Sequence, residues 1–391
     1  MSSVVPDGWS RQKLGDSLIP RPKSKLPSGE SNSLGYYDFY VCSHKVLKSF
    51  HNEYSSPSIL FSTGGEASVH FATERYAFST DVWATEFEGD ICNEYVFRLL
   101  EENNRTINYS GFQGSGIKHL DKSFIEKLEF SIPPLPEQKK IASILTSVDE
   151  VIENTSRQID KLQDLKKATM NELLTKGIGH TEFKDSELGR IPKSWDVRTL
   201  GVVCQKIQDG THFSPTTGGG SYKYLTSKNI RMGKLSLSKI ETISESQHRE
   251  IYKRCDVKFG DILLTKDGAN TGNVAINILE EEFSLLSSVA FIRPSESAQT
   301  HFLLQYLMSD TAQSLMSELM SGNAITRLTL QKIKAFPLPL PPASEQTDIY
   351  LPLTAIDKQS LNLEAKKRQT QSLKKSLMQD LLTGKVRVTV N

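Results

Sequence analysis

Cysteine is scarce in this chain, and the few cysteines stand far apart. The 391 residues include four, Cys42, Cys92, Cys204 and Cys255, and no two of them form a Cys-x-x-Cys pair. Zinc sites and disulfide frameworks both need cysteines at recurring short spacings. We therefore expect neither, and we interpret the four as buried or half-buried free thiols in a reducing cytoplasm.

Long hydrophobic runs are also missing. A membrane-spanning helix needs about 20 consecutive apolar residues, and no run in the sequence approaches that length. The opening residues, MSSVVPDGWSRQ, contain no apolar segment of the kind found in secretory signal peptides. We therefore expect a cytoplasmic protein without a membrane partner. The net charge of +1 neither indicates nor excludes a nucleic-acid partner, because a basic surface can be local.

Recognisable catalytic motifs are the third absence. The sequence has no Walker loop, no Gly-x-Gly-x-x-Gly after a strand and no His-Glu-x-x-His. The segments IPPLPEQ and LPPASEQ contain Pro-Pro but lack the Asn and the aromatic residue that flank it in amino-methyltransferases. Asp261, Lys266 and Asp267 in GDILLTKDG loosely resemble a nuclease cluster, which we interpret as a strand and a polar turn. We expect no catalysis by this chain.

What the sequence does contain is a long internal repeat. At a shift of 208 residues, GIKHLDKSFIEKLEFSIPPLPEQKKIASIL aligns with AITRLTLQKIKAFPLPLPPASEQTDIYLPL, and NELLTKG aligns with QDLLTGK. At a shift of 186 residues, VPDGWSRQKLG aligns with IPKSWDVRTLG. The chain is therefore two copies of one unit, each a variable body followed by a constant tail. This period is far longer than that of a solenoid repeat, so domain duplication is indicated.

The two constant tails are predicted to be long helices. From Glu137 to Lys176 there is no proline or glycine, and apolar residues recur three and four positions apart, as on a helix with one apolar stripe. About 38 residues at 1.5 Å each give roughly 57 Å, which is too long for one small domain. The second tail, from about Glu345 to Leu382, carries Pro352 two turns in, so we expect a kink or a frayed start there.

Two helices of similar length, each with one narrow apolar stripe, most simply pair as an antiparallel coiled coil. The alternative is that each helix packs only on its own body. The residues expected to pair the helices are Ile141, Leu145, Val148, Ile152, Leu162 and Leu165 in the first tail, and Ile349, Leu353, Ile356, Leu373 and Leu377 in the second.

The bodies have mixed character. Short β-type runs such as SILFSTGG, RYAFSTDVWATEF, GDILLTKDG and SLLSSVAFIRP end at glycine or polar turns, and THFLLQYLMSDTAQSLMSELMSG is predicted to be one amphipathic helix. The difference between the two shifts makes the second body 22 residues longer. We predict an α+β protein in which two mixed α/β domains, residues 1–132 and 180–338, alternate with two long helices, residues 133–179 and 339–391, in a pseudo-two-fold internal repeat.

This organisation resembles the specificity subunit of type I restriction–modification enzymes over nearly the whole chain. The resemblance rests on the two Pro-Pro and Glu-Gln helix starts, the helix ends NELLTKG and QDLLTGK, the lead ELGRIPKSWDVRTLG and the run from QDGTHFSP through YLTSKNIRMGKL to GDILLTKDGANTGNVA. It implies two target-recognition domains, each binding one half of a bipartite double-stranded DNA site. It also implies that the helices set the gap and dock two methyltransferase subunits, which nuclease–translocase subunits join. S-adenosylmethionine, ATP and Mg would act in those partners, with no cofactor bound by this chain.

Sequence-specific binding needs side chains at base edges and basic residues on phosphates. Polar and basic residues of predicted loops are the candidates, and for each of them a solvated surface residue is the competing interpretation. In the first body the candidates are Arg21, Lys23, Lys25, Ser62, Thr63, Gln113, Ser115, Lys118 and His119; in the second they are Gln208, Thr211, His212, Lys228, Asn229, Arg231, Lys266, Asp267, Asn270, Asn273 and Arg327.

Two other classes of protein stay open at this point. A fused restriction nuclease–methyltransferase fragment, or an independent nuclease, would cleave or methylate DNA on its own, and the missing motifs weigh against it. A coiled-coil interaction protein without nucleic acid is compatible with the near-neutral charge. The diverged, polar and loop-rich bodies disfavour it.

Overall fold

The computed structural model describes residues 5–320 and 327–390. The chain forms two compact units, and each unit combines one body with parts of both long helices. Unit 1 is Met1–Arg157 with Ala365–Asn391, and unit 2 is Gln158–Glu364. Both long helices therefore contribute to both units.

Helices and strands alternate irregularly along the described residues. In chain order the helices are α1 Asn93–Glu102, α2 Asn104–Ser110, α3 Lys122–Glu126, α4 Leu135–Lys176, α5 Leu200–Val203, α6 Glu245–Tyr252, α7 Thr300–Met308, α8 Asp310–Met320, α9 Leu330–Lys334 and α10 Ala343–Leu381. The strands of unit 1 are β1 Ser10–Lys13, β2 Leu18–Pro20, β3 Tyr37–Tyr40, β4 Leu47–Ser49, β5 Ser58–Ser62, β6 Val69–Ala72, β7 Tyr76–Phe78, β8 Val82–Phe87, β9 Phe112–Gln113, β10 His119–Leu120 and β11 Glu129–Ile132. Those of unit 2 are β12 Phe183–Ser186, β13 Gly189–Pro192, β14 Asp196–Thr199, β15 Cys204–Asp209, β16 Tyr222–Leu225, β17 Ile230–Arg231, β18 Lys234–Leu235, β19 Glu241–Ile243, β20 Ile262–Thr265, β21 Val274–Ile276, β22 Ser284–Leu285, β23 Val289–Pro294 and β24 Pro337–Leu340.

The body of unit 1 is built on two sheets. Strands in the order β2-β8-β5-β6 form an antiparallel sheet, and β4-β3-β7 form a smaller sheet in which β3 and β7 are parallel. Strand β5 is buried along its whole length. Because side chains of a strand alternate between faces, Ile59 and Phe61 join one apolar core and Leu60 joins another. Burial on both faces explains the continuous apolar run in the sequence.

The body of unit 2 repeats this topology. Its sheets have the orders β15-β23-β20-β21 and β19-β16-β22, and β16 and β22 are again parallel. In β20, Ile262 and Leu264 face one core and Leu263 faces another. The duplication predicted from the tails therefore extends through the bodies, where most of the sequence does not match.

A buried glutamine in the first turn fastens each long helix to its own body. The Gln138 Nε2 donates to the carbonyl oxygens of Asp90 and Pro133, both at 2.9 Å, and its Oε1 accepts from the Cys92 N–H at 2.7 Å. One amide side chain thus satisfies two acceptors and one donor of the backbone. Gln346 makes the same three kinds of bond in unit 2, which explains why the Glu-Gln pair recurs in the sequence.

The long helices run antiparallel in both units, as predicted. In unit 1 the start of α4 shares an apolar core with the end of α10, and in unit 2 the end of α4 shares a core with the start of α10. The residues involved are Ile141, Leu145, Met378 and Leu381 in unit 1, and Met170, Leu174, Ile349 and Leu353 in unit 2. The same cores contain body residues, so the alternative of packing only on the helix's own body is wrong.

Two residues of the predicted pairing stripe lie on the surface. Leu165 is 51% exposed and Leu373 is 53% exposed, so their assignment to helix pairing is wrong. A helix turns about 100° per residue, and the next residues, Lys166 and Lys374, face the partner helix instead. Each forms an ion pair across the helices, Lys166–Asp357 at 2.6 Å and Lys374–Asp149 at 2.8 Å. The remaining predicted pairing residues are half-buried: Val148, Ile152, Leu162, Ile356 and Leu377.

Two other predictions about helices are corrected. The predicted single helix of the second body is two helices, because the chain turns at Ser309, whose ψ is 153°. The Ser309 hydroxyl accepts from the Ala312 N–H at 3.2 Å and so caps α8. Helix α10 begins at Ala343 and continues through Pro352, so the expected frayed start is not found, and a kink at Pro352 stays a prediction.

A glycine follows each long helix and lies beside one of the two matched tryptophans. Gly177 and Gly384 have φ of +65° and +69°, a conformation that favours glycine. A Cβ at Gly177 would lie 2.7 Å from Cζ2 of Trp195, and one at Gly384 would lie 3.2 Å from Cζ2 of Trp9. The Trp195 Nε1 in turn donates to Glu345 at the start of α10, at 2.9 Å. In each unit the glycine that follows the long helix therefore lies against the repeated tryptophan.

The remaining composition-based expectations concern membranes and thiols. None of the helices in the described ranges is long and apolar enough to cross a membrane. All four cysteines are free, and Cys42 is exposed, unlike the buried or half-buried thiols that were predicted. Burial raises the pKa of the Cys204 and Cys255 thiols to about 12, so these two are protonated and unreactive at neutral pH.

Candidate nucleic-acid interface

In unit 1, one edge of the body gathers several of the candidate residues. The Thr63 N–H donates to the Asp81 carbonyl and the Leu120 N–H donates to the Thr63 carbonyl, both at 3.0 Å. A β-bridge joins Gly64 to His119. The end of the central strand β5 is thus held against the β9–β10 hairpin. We call residues 20–25, 63–65 and 113–119 the first edge.

Unit 2 has the same edge with different side chains. The Lys266 N–H donates to the Ser288 carbonyl and the Leu328 N–H donates to the Lys266 carbonyl, both at 2.8 Å. A β-bridge joins Asp267 to Arg327. We call residues 208–213, 266–273 and 327 the second edge. The two edges therefore share a backbone arrangement, and the residues at matched places differ.

Most candidates of the first edge are exposed. Thr63 is half-buried, and the exposed candidates are Lys23, Lys25, Gln113, Ser115, Lys118 and His119. Arg21 and Ser62 instead bind partners within the body. The Arg21 Nη2 lies 2.7 Å from Glu86, and the Ser62 hydroxyl donates to the Glu66 carbonyl at 2.7 Å. These partners correct the prediction that Arg21 and Ser62 are available to DNA.

Lys122 of α3 is a cation beside the first edge that was not predicted from the sequence. A cleft of about 260 Å³ is lined by Arg21, Lys23, Thr63, Trp83 and Lys122 among others. The Lys122 ammonium lies 5.1 Å from the centre of the Trp83 ring, a cation–π distance. Among the described residues, no hydrogen bond or ion pair is found for the Lys122 ammonium or for Lys23. Arg21, Lys23 and Thr63 of this cleft were predicted from the sequence, whereas Lys122 was not.

The candidates of the second body differ widely in exposure. The exposed ones are His212, Lys228, Arg231 and Arg327; the half-buried ones are Gln208, Asp267, Asn270 and Asn273; the buried ones are Thr211, Asn229 and Lys266. The Asn273 amide donates to the Ile230 carbonyl at 3.2 Å, which ties the loop carrying Lys228 and Arg231 to the second edge. Exposed Arg327 lies 3.8 Å from Asp267.

Two buried candidates hold the second body together. The Asn229 side chain accepts from the Thr226 N–H at 3.0 Å and donates to the Ser236 carbonyl at 3.1 Å. The Lys266 ammonium is buried and lies 3.3 Å from the Asp209 carboxylate. The predictions that Asn229 and Lys266 contact DNA are therefore corrected, because neither side chain reaches the surface.

A separate charge network in unit 2 is structural. Arg293 binds Asp261 at 2.8 Å and Asp256 at 3.3 Å. Burial opposes ionisation of Asp256, but hydrogen bonds from Lys206 and Arg293 outweigh it, so the pKa of Asp256 lies below its ordinary value. Asp261, suspected in the sequence as part of a nuclease-like cluster, therefore belongs to an ion-pair network. Within the described ranges, no group of three or more His, Cys, Asp or Glu side chains could hold a metal ion.

The sequence family of the chain is decided by its match to a domain model. The model of the type I restriction modification DNA specificity domain matches residues 6–164 and again residues 192–371. The chain belongs to the type I restriction–modification specificity subunits. The two matches correspond to the two copies of the repeat. In such a complex, catalysis lies in the partner methyltransferase and restriction subunits, and the specificity subunit is not the enzyme.

Curated specificity subunits align over most of this subunit. It is 30% identical to the type I restriction enzyme MjaVIII specificity subunit of Methanocaldococcus jannaschii, over 98% of this chain and 94% of that one. It is 21% identical to the EcoDI specificity subunit of Escherichia coli, over 88% of this chain and 80% of that one.

Solved structures share the fold of this specificity subunit. The crystal structure of the type I restriction–modification S subunit from M. genitalium has a TM-score of 0.69 at 14% identity, covering 97% of this chain and 98% of that chain. A chain from a study of complex assembly and conformational transition of the type I system has a TM-score of 0.53 at 17% identity, covering 98% and 100%.

Proposed function

We propose that each body of this subunit reads one half of a bipartite DNA site. The observation that carries the proposal is the pair of matched edges. Thr63, Gly64 and His119 of the first edge stand where Lys266, Asp267 and Arg327 stand in the second. A constant backbone with variable side chains is what two related domains need in order to read two different sequences.

The exposed residues of both edges suit DNA contacts. Arginine and lysine pair with guanine edges or phosphates, and asparagine and glutamine pair with adenine. Gln113 and Lys118 provide such groups on the first edge and Arg327 provides one on the second, and the exposed imidazoles of His119 and His212 add hydrogen-bonding groups. The near-neutral net charge of the chain does not oppose this role, because a DNA-binding surface needs cations only locally.

The long helices are proposed to set the spacing between the half-sites. Helix α4 is continuous over 42 residues, which at 1.5 Å per residue corresponds to about 63 Å. Half-sites read from one face of B-DNA lie about 34 Å apart, one helical turn. Inserting one helical turn between Leu165 and Leu173 should therefore change the spacer that the complex accepts. The control is a variant in which exposed residues between Leu165 and Leu173 are substituted and the helix keeps its length. An unchanged spacer after the insertion would refute the ruler role.

Two similar grooves support docking of two methyltransferase subunits. A groove of about 400 Å³ in unit 2 is lined in part by Met170, Leu174, Thr175, Tyr306 and Pro339. A groove of about 170 Å³ in unit 1 is lined in part by the residues at matching places, Met378, Leu382, Thr383, Leu99 and Ser131. A site present once in each unit fits two copies of one partner. Nuclease–translocase subunits would join this assembly, and S-adenosylmethionine, ATP and Mg would act in the partners.

The test is to co-purify the subunit with a methyltransferase subunit and to map N6-methyladenine in the host genome with and without this gene. A gapped two-part motif that disappears on deletion would support the proposal and would give both half-sites. A complex that forms without any methylation that depends on this gene would contradict sequence reading. Cleavage or methylation by the purified chain alone would favour the enzyme alternative instead.

A further inference from the structure

The second edge contains a buried ion pair that stability alone does not account for. The side chains of Asp209 and Lys266 are 3% and 2% exposed, and their charged atoms are 3.3 Å apart. Removing two charges from water costs more than an apolar pair of similar size, so buried ion pairs are weak sources of stability. Such a pair therefore suggests a further role.

The backbone of the edge forms without this pair. Thr63 takes the place of Lys266 in the first edge, and the same two backbone hydrogen bonds flank it. Its hydroxyl donates to the Asp81 carbonyl at 2.6 Å, so no buried charge is needed there. The ion pair is consequently a property of the second edge and not of the fold that both bodies share.

Asp209 also contacts a guanidinium and an imidazole that reach the surface. The Arg254 Nη2 lies 3.4 Å from one carboxylate oxygen, and the His212 Nε2 lies 3.4 Å from the other. Arg254 further donates to the Gly210 carbonyl. The Arg254 and His212 side chains are 49% and 56% exposed. The carboxylate thus fixes the inner side of both groups and leaves their outer side open.

Arg254 and His212 line a cleft of about 550 Å³ together with Thr211, Phe213 and Glu250. Even with a neutral imidazole, Lys266 and Arg254 bring two positive charges to the single charge of Asp209. Glu250 is the opposing charge on this cleft. A guanidinium that is fixed on one side and open on the other is suited to a phosphate oxygen.

We infer that Asp209 is a positioning residue: anchored by Lys266, it holds Arg254 and His212 so that they receive a backbone phosphate of the DNA half-site read by the second body. The inference rests on the proposed function. Arg254 is not among the residues predicted from the sequence. Lys266 is buried and acts only by holding Asp209 in place.

The test measures DNA binding by the assembled complex across a salt series, on a duplex with its own motif and on one without it. Arg254→Ala should lower affinity on both duplexes by a similar factor, about tenfold, and should reduce the slope of log K against log salt by about 0.9. Arg249→Ala is the matched control, because Arg249 is an exposed arginine of α6, the helix that ends two residues before Arg254, and it pairs with Glu245. Glu250→Gln should act in the opposite direction and strengthen binding.

The role of Asp209 is tested by removing both buried charges together. Asp209→Asn alone would leave the Lys266 charge unpaired, so Asp209→Asn is combined with Lys266→Met. The double variant should melt within a few degrees of the parent protein, yet lose affinity and salt slope as Arg254→Ala does. An unchanged salt slope in Arg254→Ala, wild-type binding by the double variant or loss of its fold would each overturn the inference. Failure of the unmodified complex to bind its motif would instead count against the proposed function.

Discussion

Replacing Gln346 by alanine should destabilise unit 2 strongly, because this buried amide serves three backbone groups. It donates to the carbonyls of Ser297 and Pro341, both at 2.9 Å, and accepts from the Gln299 N–H at 2.8 Å. A hydrogen bond contributes about 1 kcal/mol net, and a buried donor left without a partner costs about 1–3 kcal/mol. Losing the two bonds that Gln346 donates costs about 2 kcal/mol and leaving the Gln299 N–H unpaired costs about 1–3 kcal/mol, so the expected loss is about 3–5 kcal/mol. For a unit of this size it lowers Tm by about 10 °C.

The assay is urea or thermal unfolding of the full chain followed by circular dichroism. Gln379→Ala is the control, since Gln379 is an exposed glutamine of the same helix and its loss should cost no more than about 0.5 kcal/mol. Gln138→Ala should behave like Gln346→Ala, because it removes the matching bonds of unit 1. A loss below about 1 kcal/mol for Gln346→Ala would refute the view that this glutamine fastens the helix to the body.

Three further predictions concern thiols, acid stability and the helix pair. A thiol reagent at neutral pH should label Cys42 and leave Cys255 unmodified in the folded protein; equal labelling would contradict the burial described. Asp256 has a lowered pKa, so its stabilisation is present above its ordinary pKa of about 3.9 and is lost as pH falls through the lower folded value. Acid titrations of unfolding should show this loss, and Asp256→Asn should flatten it. Leu353→Ala should cost about 2–5 kcal/mol and Leu165→Ala under about 0.5 kcal/mol; similar costs in denaturant unfolding would contradict the observed packing.

The two long helices could be predicted from the sequence because their apolar pattern is local and occurs twice in the chain. Helix α4, predicted from Glu137 to Lys176, spans Leu135–Lys176, and the antiparallel pairing followed from the two stripes. The predictions of helix pairing and helix length were wrong at positions where a single residue determines the local structure. Periodicity placed Leu165 in the stripe, yet Lys166 faces the partner through its ion pair with Asp357. Ser309 breaks a helix that looked continuous, since a capping serine is also an acceptable surface residue within a helix.

The candidate interface was predictable only in part. Residue type indicated polar loops, but it could not separate a cation facing solvent from one held inside the body. Arg21 and Lys266 have internal carboxylate partners that are distant in sequence, so no local pattern reveals them. Arg254 and Lys122 were not predicted because the residues that they contact, Asp209 and Trp83, lie on strands that are distant in sequence.

Whether each body reads its own half-site can be tested with one substitution on each edge at matched places. His119→Ala and Arg327→Ala are introduced separately, and N6-methyladenine is mapped across the genome of cells carrying each variant with its methyltransferase partner. We expect each variant to relax or weaken one half of the gapped motif and to leave the other half unchanged, with the affected half differing between the two variants. Loss of specificity in the same half for both variants, or an unchanged motif in both, would contradict this expectation.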